Sequence, residues 1–428
     1  MRIFLIEPVG AGGMIHFAYQ LCSALSAEGA DVVLITASDY ELAALPHNFA
    51  VEPLMRLWPR FDDVLTESPP ATSVGRAWRR TWWTARRATR AIRLVREWVR
   101  VVGYVRHERP DVAHFGTPQF PGARFFLDRL RGITLTQICH EFEFRESKYR
   151  WSNGIRTRLL RRTFEPFDAI FVLGDEVKNR FHQATGYPRR KIHTIPHGNE
   201  ALLMTDPGDL SLLRQTYGFG DDDRIVLFFG NIRPSKGVPD LIDAFAELSD
   251  LDDVKLLIAG YPSREIDTKE LRTRAEEMGV AERVVFDIRY IPIEEVSSLI
   301  ALATVVAFPY VTATQSGAIQ VAFAGGRPVV ATAVGSIPEA VEDGTTGFLV
   351  PQGSTEAMAN ALRRLVIDPA LAEDMGKAAL GQANARFGWG AIAREVLSVY
   401  RDLSPSRGRS SADGHTGSGS KPLGAARR

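Results

Sequence analysis

Short apolar runs alternate with longer amphipathic stretches along the whole chain. In the first half the runs lie at 2–7, 31–36, 111–115, 133–140, 168–173 and 191–195. In the second half they lie at 224–230, 254–260, 283–287, 304–309, 327–332 and 347–350. Continuous apolar runs are typical of parallel strands buried on both faces. Because helical patterns separate them, the chain is predicted to form two doubly wound α/β domains.

The interruptions of this pattern predict the domain boundaries. A stretch with a Pro-Gly pair and an acidic triplet at 201–223 indicates a linker between Rossmann-like domains at 1–200 and 224–385. An amphipathic pattern over 386–403 predicts a last helix. Residues 404–428 lack aromatics and hold a single leucine. They are therefore predicted to form a disordered tail.

Residues 76–109 depart from the α/β rhythm, with eleven arginines and four of the seven tryptophans. One predicted helical face carries Trp78, Trp82, Ala85, Ala88, Ile92, Val95, Val99 and Val102. Interfacial helices combine tryptophan with cationic flanks, so we expect this helix to touch an anionic membrane surface. The alternative is that the apolar face packs on the first domain while the arginines are solvated.

Composition narrows the classes of protein further. At 428 residues the chain is too long for one ordinary core, and its net charge of +1 disfavours nucleic acid as a partner. Cys22 and Cys139 are too few for a disulfide framework, which favours a reducing cytoplasm. No apolar run suits a signal peptide or a membrane span. We therefore expect a cytoplasmic protein whose membrane attachment, if any, is peripheral.

Candidate chemistry is sought beyond the carboxyl ends of the strands, where open parallel sheets bind ligands. In "PVGAGG", Gly12 and Gly13 would let backbone amides approach a phosphate or a sugar, although a simple turn is the alternative. The dinucleotide-binding fingerprint G-x-G-x-x-G is not matched, because it requires glycine where this chain has Ile15. In "GNIRPSKG", Arg233 and Lys236 would grip a diphosphate, unless they are solvated loop cations.

Two further segments occupy the same edge of the predicted sheets. In "TATQSG", Gln315, Ser316 and Gly317 precede a helix whose positive end would attract an anion, and an N-cap role is compatible with this. His140 ends a strand, where it could bond a substrate hydroxyl or be merely structural. The acidic triplet precedes a strand, and no zinc-ligand or Ser-His-Asp pattern is present. We therefore expect no metal.

These segments, in this order, resemble the retaining glycosyltransferases of family 4, which have the GT-B fold. The likeness runs from "PVGAGG" through "FDAIFVLGDEVKNRF", "KIHTIPHGN" and "VLFFGNIRPSKGVPDL" to "RPVVATAVGSIPEAVEDGTTGFLVP". It implies two domains facing across a cleft, with 1–200 on the acceptor side and 224–385 holding a nucleotide-sugar donor. It also implies that the helix 386–403 crosses back to the first domain.

The resemblance assigns roles to individual residues. His140, Arg233 and Lys236 would be catalytic, with His140 near the transferred sugar. The implied donor-binding residues are Gly12, Gly13, Gly230, Arg233, Lys236, Asp287, Ile288, Arg289, Gln315, Ser316 and Gly317. His16 and Glu141 would lie on the acceptor side.

The chain departs from the family at one point. Two glutamates usually precede the Pro-Val-Val strand, and their positions are held by Ala313 and Val321. A clade with "QSG" lacks this pair, and the chain is similar to it.

The resemblance implies sugar transfer from a nucleotide-diphosphate donor with retention of configuration and without a cofactor. It points to cell-surface polysaccharide or glycolipid synthesis, with a carbohydrate or lipid-linked acceptor at the inner face of the plasma membrane. A catalytically inactive nucleotide-sugar-binding protein and a nucleotide-sugar epimerase are the alternatives.

Overall fold

The computed structural model describes residues 1–55, 76–116, 123–140 and 162–404. The first of its two sheets is parallel throughout, in the spatial order β3-β2-β1-β4-β5-β6-β7. Its strands are β1 Arg2–Ile6, β2 Asp31–Ala37, β3 Ala50–Met55, β4 Val112–Phe115, β5 Thr134–Cys139, β6 Ala169–Val172 and β7 Ile192–Thr194. The apolar runs predicted all of these except β3, in which Glu52 and Pro53 interrupt the pattern.

The second sheet is also parallel, in the order β10-β9-β8-β11-β12-β13. Its strands are β8 Arg224–Phe229, β9 Val254–Ala259, β10 Val284–Asp287, β11 Val305–Phe308, β12 Val329–Thr332 and β13 Gly347–Val350. Both sheets are buried by helices on their two faces, as continuous apolar strands require. The prediction of two doubly wound α/β domains is confirmed.

Helices connect the strands. In the first half they are α1 Gly13–Ala27, α2 Arg76–Glu108, α3 Ala123–Leu127, α4 Asp175–Thr185 and α5 Leu210–Tyr217. In the second half they are α6 Val238–Ala246, α7 Thr268–Glu277, α8 Ile293–Leu302, α9 Gly317–Ala324, α10 Ile337–Ala340, α11 Thr355–Ile367, α12 Pro369–Arg386 and α13 Trp389–Leu403. Short 3₁₀ turns lie at Asp128–Leu130, Arg189–Lys191, Ala201–Leu203, Pro234–Lys236 and Ala281–Arg283.

The last helix, α13, packs on the first domain. Its residues Ile392 and Val396 join the core that contains α1 and β1. Tyr400 is fully buried and its hydroxyl lies 2.7 Å from Nδ1 of His114, in β4. The prediction that this helix crosses back to the first domain is therefore confirmed.

The helix predicted over 76–109 is present as α2, but its predicted apolar face is divided. Val102 is buried, whereas Ile92, Val95 and Val99 are exposed. The face that packs on the domain instead carries Trp98, which stacks on Phe115, together with Val101 and Val105. The predicted face is thus exposed at its first three described residues and buried only at Val102, because a second set of apolar residues at helical spacing covers the core.

Several predictions concern residues outside the described ranges. They include Glu141, the side chains of Trp78, Trp82, Ala85 and Ala88, and the tail after Ser404. In the described part of the chain no helix is long and apolar enough to cross a membrane.

Candidate functional site

The carboxyl ends of the two sheets face each other, and hydrogen bonds join the domains across this cleft. At its centre, Thr314 Oγ1 donates to the carbonyl oxygen of His140 over 3.0 Å. Beyond β6 and β12, the Glu339 carboxylate accepts from the backbone N–H groups of Asp175 and Glu176, at 3.1 and 3.2 Å. These contacts bring the predicted His140 and "TATQSG" segments together.

The second domain contributes a cation and a helix N-terminus to the cleft. Lys236 ends a 3₁₀ turn that Arg233 precedes, just after β8 and Gly230. Its Nζ lies 3.6 Å from the centroid of the Tyr310 ring, and the Tyr310 hydroxyl lies 2.9 Å from Ser316 Oγ. In the described ranges no carboxylate forms an ion pair with Lys236. The ammonium is therefore available to an anion.

Ser316 caps helix α9, since its Oγ accepts from the backbone N–H of Ile319 over 3.3 Å. Before it, Gln315 has a buried side-chain amide oxygen without a hydrogen-bond partner among the described residues. A buried amide group that lacks a partner is costly, so a ligand hydroxyl would be stabilising here. Both the N-cap role and an anion-binding role at this helix end fit the geometry.

The Gly-rich loop after β1 lies opposite, in the first domain. Gly12 has φ 82°, a left-handed conformation that favours glycine. A Cβ atom at Gly12 or Gly13 would meet no described atom within 4 Å. The space beside this loop is therefore open to a ligand.

Glu41, which the sequence analysis did not single out, lies beside this Gly-rich loop. Glu41 Oε1 accepts from the backbone N–H of Gly12 and forms an ion pair with His16 Nε2, each over 2.5 Å. Its other oxygen accepts from the hydroxyl of Tyr290, in the second domain. Burial would lower the pKa of His16, but the hydrogen bond and charge of Glu41 outweigh it and raise that pKa. His16, predicted to face the acceptor, is thus paired within the protein.

Three buried titratable groups lie near the connection between the domains. Burial lowers the pKa of His140 to about 3 and that of His197 to about 4, so both imidazoles are neutral near pH 7. Phe17 makes edge contacts with both rings, at centroid distances of 4.8 and 5.5 Å. Burial also raises the pKa of Glu200 to about 7, and Gln20 Nε2 donates to its carboxylate over 2.8 Å.

Sequence reasoning also missed His197, which faces the "QSG" segment. A Cβ atom at Gly317 would lie 3.1 Å from His197 Nε2. Glycine at this position therefore lets the two segments approach closely.

The predicted base-binding stretch follows β10. Arg289 Nε donates to Asp287 Oδ1 over 2.8 Å, and its guanidinium also pairs with Glu295. The Tyr217 hydroxyl donates to the other oxygen of Asp287, over 2.8 Å. Ile288 lies half-buried between the two charged residues. The stretch is at the predicted edge of the sheet, with its charges paired within the second domain.

The two positions that lack glutamate differ in their surroundings. Val321 is 4% exposed and belongs to the core of the second domain. The Ala313 backbone packs against Gly335, where a Cβ atom would lie 1.8 Å from the Ala313 carbonyl oxygen. In the described residues no group of three or more His, Cys, Asp or Glu side chains is arranged to hold a metal ion.

Comparisons with known proteins account for most of the chain. Residues 12–198 match the family described as "Glycosyl transferase 4-like domain", and residues 223–368 match "Glycosyl transferases group 1". The chain carries two glycosyltransferase-family domains.

Among curated proteins, the D-inositol 3-phosphate glycosyltransferase of Corynebacterium glutamicum is 33% identical over 53% of this chain and 55% of its own length. The alpha-D-kanosaminyltransferase of Streptomyces kanamyceticus is 29% identical over 65% of this chain and 73% of its own. The chain spans about half the length of the inositol phosphate glycosyltransferases that it matches.

Solved structures establish the fold. Anabaena HepE, crystallised with UDP and glucose, superposes with a TM-score of 0.70 at 22% identity, covering 94% of this chain and 100% of that protein. The fold is GT-B, with two Rossmann-like domains.

Proposed function

We propose that the protein transfers a sugar from a nucleotide-diphosphate donor to an acceptor, with retention of anomeric configuration. The observation that carries this proposal is the Lys236 ammonium, which has no carboxylate partner among the described residues and lies beside Tyr310 and the Ser316-capped helix. A cation and a helix N-terminus together attract a diphosphate. Two comparisons support the proposal, because relatives are named as glycosyltransferases and HepE was crystallised with UDP and glucose.

In this proposal the leaving diphosphate is stabilised by Lys236, Arg233 and the amides that begin α9. Such groups act where charge develops, so they lower the barrier without an enzymic nucleophile. His140, neutral because of its low pKa, would hydrogen-bond a sugar hydroxyl rather than repel the cationic sugar. The leaving phosphate helps to deprotonate the acceptor on the same face, which leads to retention. Closure of the domains would exclude water.

The donor is identified by thermal stabilisation. A nucleotide-sugar that binds the folded protein raises its midpoint of unfolding, so a panel of nucleotide-sugars ranks the bases and sugars. The stabilising donor is then incubated with carbohydrate and lipid-linked acceptors, and NMR gives the anomeric configuration of the product. An inverted product would contradict retention, and an isomerised donor formed without acceptor would indicate an epimerase.

A second candidate function is nucleotide-sugar binding without catalysis. It is favoured by the absence of carboxylates at Ala313 and Val321, the positions of the family's usual glutamates. Calorimetric donor binding with neither transfer nor donor hydrolysis across the acceptor panel would establish it.

We also propose that α2 contacts an anionic membrane surface at the inner face of the plasma membrane, near lipid-linked acceptors. Ile92, Val95 and Val99 are 69%, 48% and 57% exposed and lie on one helical face. The exposed Arg96 and Arg100 flank them, and both also lie within 3.5 Å of the single buried carboxylate of Glu97. An apolar stripe with cationic flanks suits a lipid interface.

Liposome co-sedimentation tests this contact. We expect wild-type binding to rise with the fraction of anionic lipid and to fall in the triple variant I92S/V95S/V99S. The matched control is L212S/I367S, which replaces two exposed apolar residues elsewhere. Binding that is independent of anionic lipid, or equal in the two variants, would reject the proposal.

A further inference from the structure

The first domain has an arginine-lined cavity at the edge of its sheet opposite the cleft. It has a volume of about 590 Å³ and lies at the end of α2, with a lining that includes Gly103, Arg106, His107, Arg109, Arg129 and Arg131. Arg109 shortly precedes β4, and Arg131 shortly precedes β5. The cavity is therefore at the amino ends of the strands, opposite the carboxyl ends that form the cleft.

Carboxylates in the described part of the chain do not balance the positive charge of this cavity. Among the described residues none of its four arginines forms an ion pair with a carboxylate, and only His107 approaches one, Glu108, at 3.9 Å. The helix dipole favours cations at the C-terminus of α2, which accounts for Arg106 in its last turn and for Arg109 directly after it. Arg129 comes from a separate segment, where its guanidinium stacks on the Phe125 ring and donates to the Phe125 carbonyl oxygen. Neither the helix dipole nor such a contact accounts for Arg131. Crowding like charges raises the energy of the folded protein unless an anion is bound.

Two residues at this cavity are not the ones that their backbone conformations favour. Gly103 lies inside α2, where alanine would be more stable, yet a Cβ atom there would meet no described atom within 4 Å. Packing thus gives no reason for glycine, whereas close approach of a ligand would. Arg109 has φ 48°, a conformation in which glycine would be preferred. Gly103 thus leaves space for a ligand, and Arg109 places a positive charge beside that space at the cost of an unfavourable backbone conformation.

We infer that this cavity binds an anion bearing several phosphate charges. Guanidinium groups recognise phosphate through paired, charge-assisted hydrogen bonds, which suits a cavity lined by arginine. A soluble polyphosphate and a phosphorylated lipid head group share this chemistry. The site is separate from the cleft, so it does not depend on the proposed transferase activity.

Calorimetry with inorganic tripolyphosphate, using the full chain at physiological ionic strength, tests the site. The variant R109G/R131A removes two of the charges, and R109G relieves the backbone conformation. We expect its affinity to fall about tenfold or more, with no loss of thermal stability. The matched control is R189A/R190A, which removes two exposed charges elsewhere in the same domain and should bind as the wild type does. G103L, which fills the cavity, should weaken binding as well.

Vesicles of phosphatidylcholine with and without phosphatidylinositol phosphate distinguish the two sources. Binding to tripolyphosphate alone indicates a soluble anion, and binding to the phosphorylated vesicles indicates a head group. Either supports the site, provided that R109G/R131A loses it and R189A/R190A does not. Equal losses in the two double variants, or no binding to either probe by the wild type, would overturn the inference.

Discussion

The first and second domains each form one wall of the cleft, and the charged residues of the two walls differ in whether they have partners within the protein. In the second domain Lys236 has no carboxylate partner among the described residues, and it faces an aromatic ring beside a helix N-terminus. In the first domain Glu41 is bound by His16, by the Gly12 amide and by Tyr290. One wall thus offers charge to a ligand, while the other satisfies its charges internally. Under the proposed function, we therefore expect the second domain to bind the diphosphate and the contacts of the first domain to hold the two domains in place.

Replacing Lys236 by alanine is the strongest way to break this comparison. Loss of a preorganised charge that stabilises a leaving group should lower turnover by about 100-fold or more. Stability should change little, because Lys236 makes no ion pair with a described carboxylate. Steady-state transfer with the identified donor measures the effect.

The control for Lys236→Ala is Lys255→Ala, in which a half-buried lysine of the same domain loses a bond to the Asp252 carbonyl. It should keep wild-type turnover. Turnover within about threefold of wild type for Lys236→Ala would place the anion elsewhere.

Substitutions in and near the first domain's wall should instead change the free energy of unfolding and its dependence on pH. The pKa of buried Glu200 is raised from 4.5 to about 7, because ionisation is harder in the folded protein. Its contribution to stability therefore falls as pH rises from about 4.5 to about 7. Glutamine does not ionise, so the free energy of unfolding of Glu200→Gln should rise by up to about 3 kcal/mol relative to that of the wild type as the pH increases from 4.5 to 7.

Denaturant unfolding at several pH values measures the effect, with exposed Glu276→Gln as the control. A constant difference in the free energy of unfolding between Glu200→Gln and wild type from pH 4.5 to 7 would contradict the raised pKa.

Tyr290→Phe tests whether the first wall holds the domains together. The variant loses the hydroxyl that bonds Glu41 across the cleft, which should cost about 1 kcal/mol and favour domain opening. Tyr217→Phe is the matched control, since its hydroxyl bonds Asp287 within the second domain. Small-angle scattering should show a larger radius of gyration for Tyr290→Phe only. Equal radii in both variants would mean that this bond does not hold the cleft closed.

The sequence predicted one wall better than the other, for a physical reason. The strands and the Lys236 and Ser316 segments are local patterns, readable as apolar runs followed by loop residues. The contacts of the first wall join residues far apart in the chain, such as Glu41 and Tyr290, and no local pattern encodes them.

Helix α2 shows a different limit. Its existence followed from helical spacing, but Val99 and Trp98 each belong to an apolar series at that spacing. Packing of Trp98 on Phe115 decides which series is buried. The fold was thus predictable from local patterns, whereas the orientation of this helix depends on tertiary contacts.

The smallest effect is expected from removing divalent metals. If Lys236, Arg233 and the amides of α9 offset the charge of the diphosphate, a metal ion adds little to that balance. Turnover in EDTA should therefore equal turnover with added magnesium, and Lys236→Ala should show the same indifference. Turnover that is lost in EDTA and restored by magnesium would show that the second wall does not supply enough positive charge. The anion-binding role would then be shared between this wall and an ion.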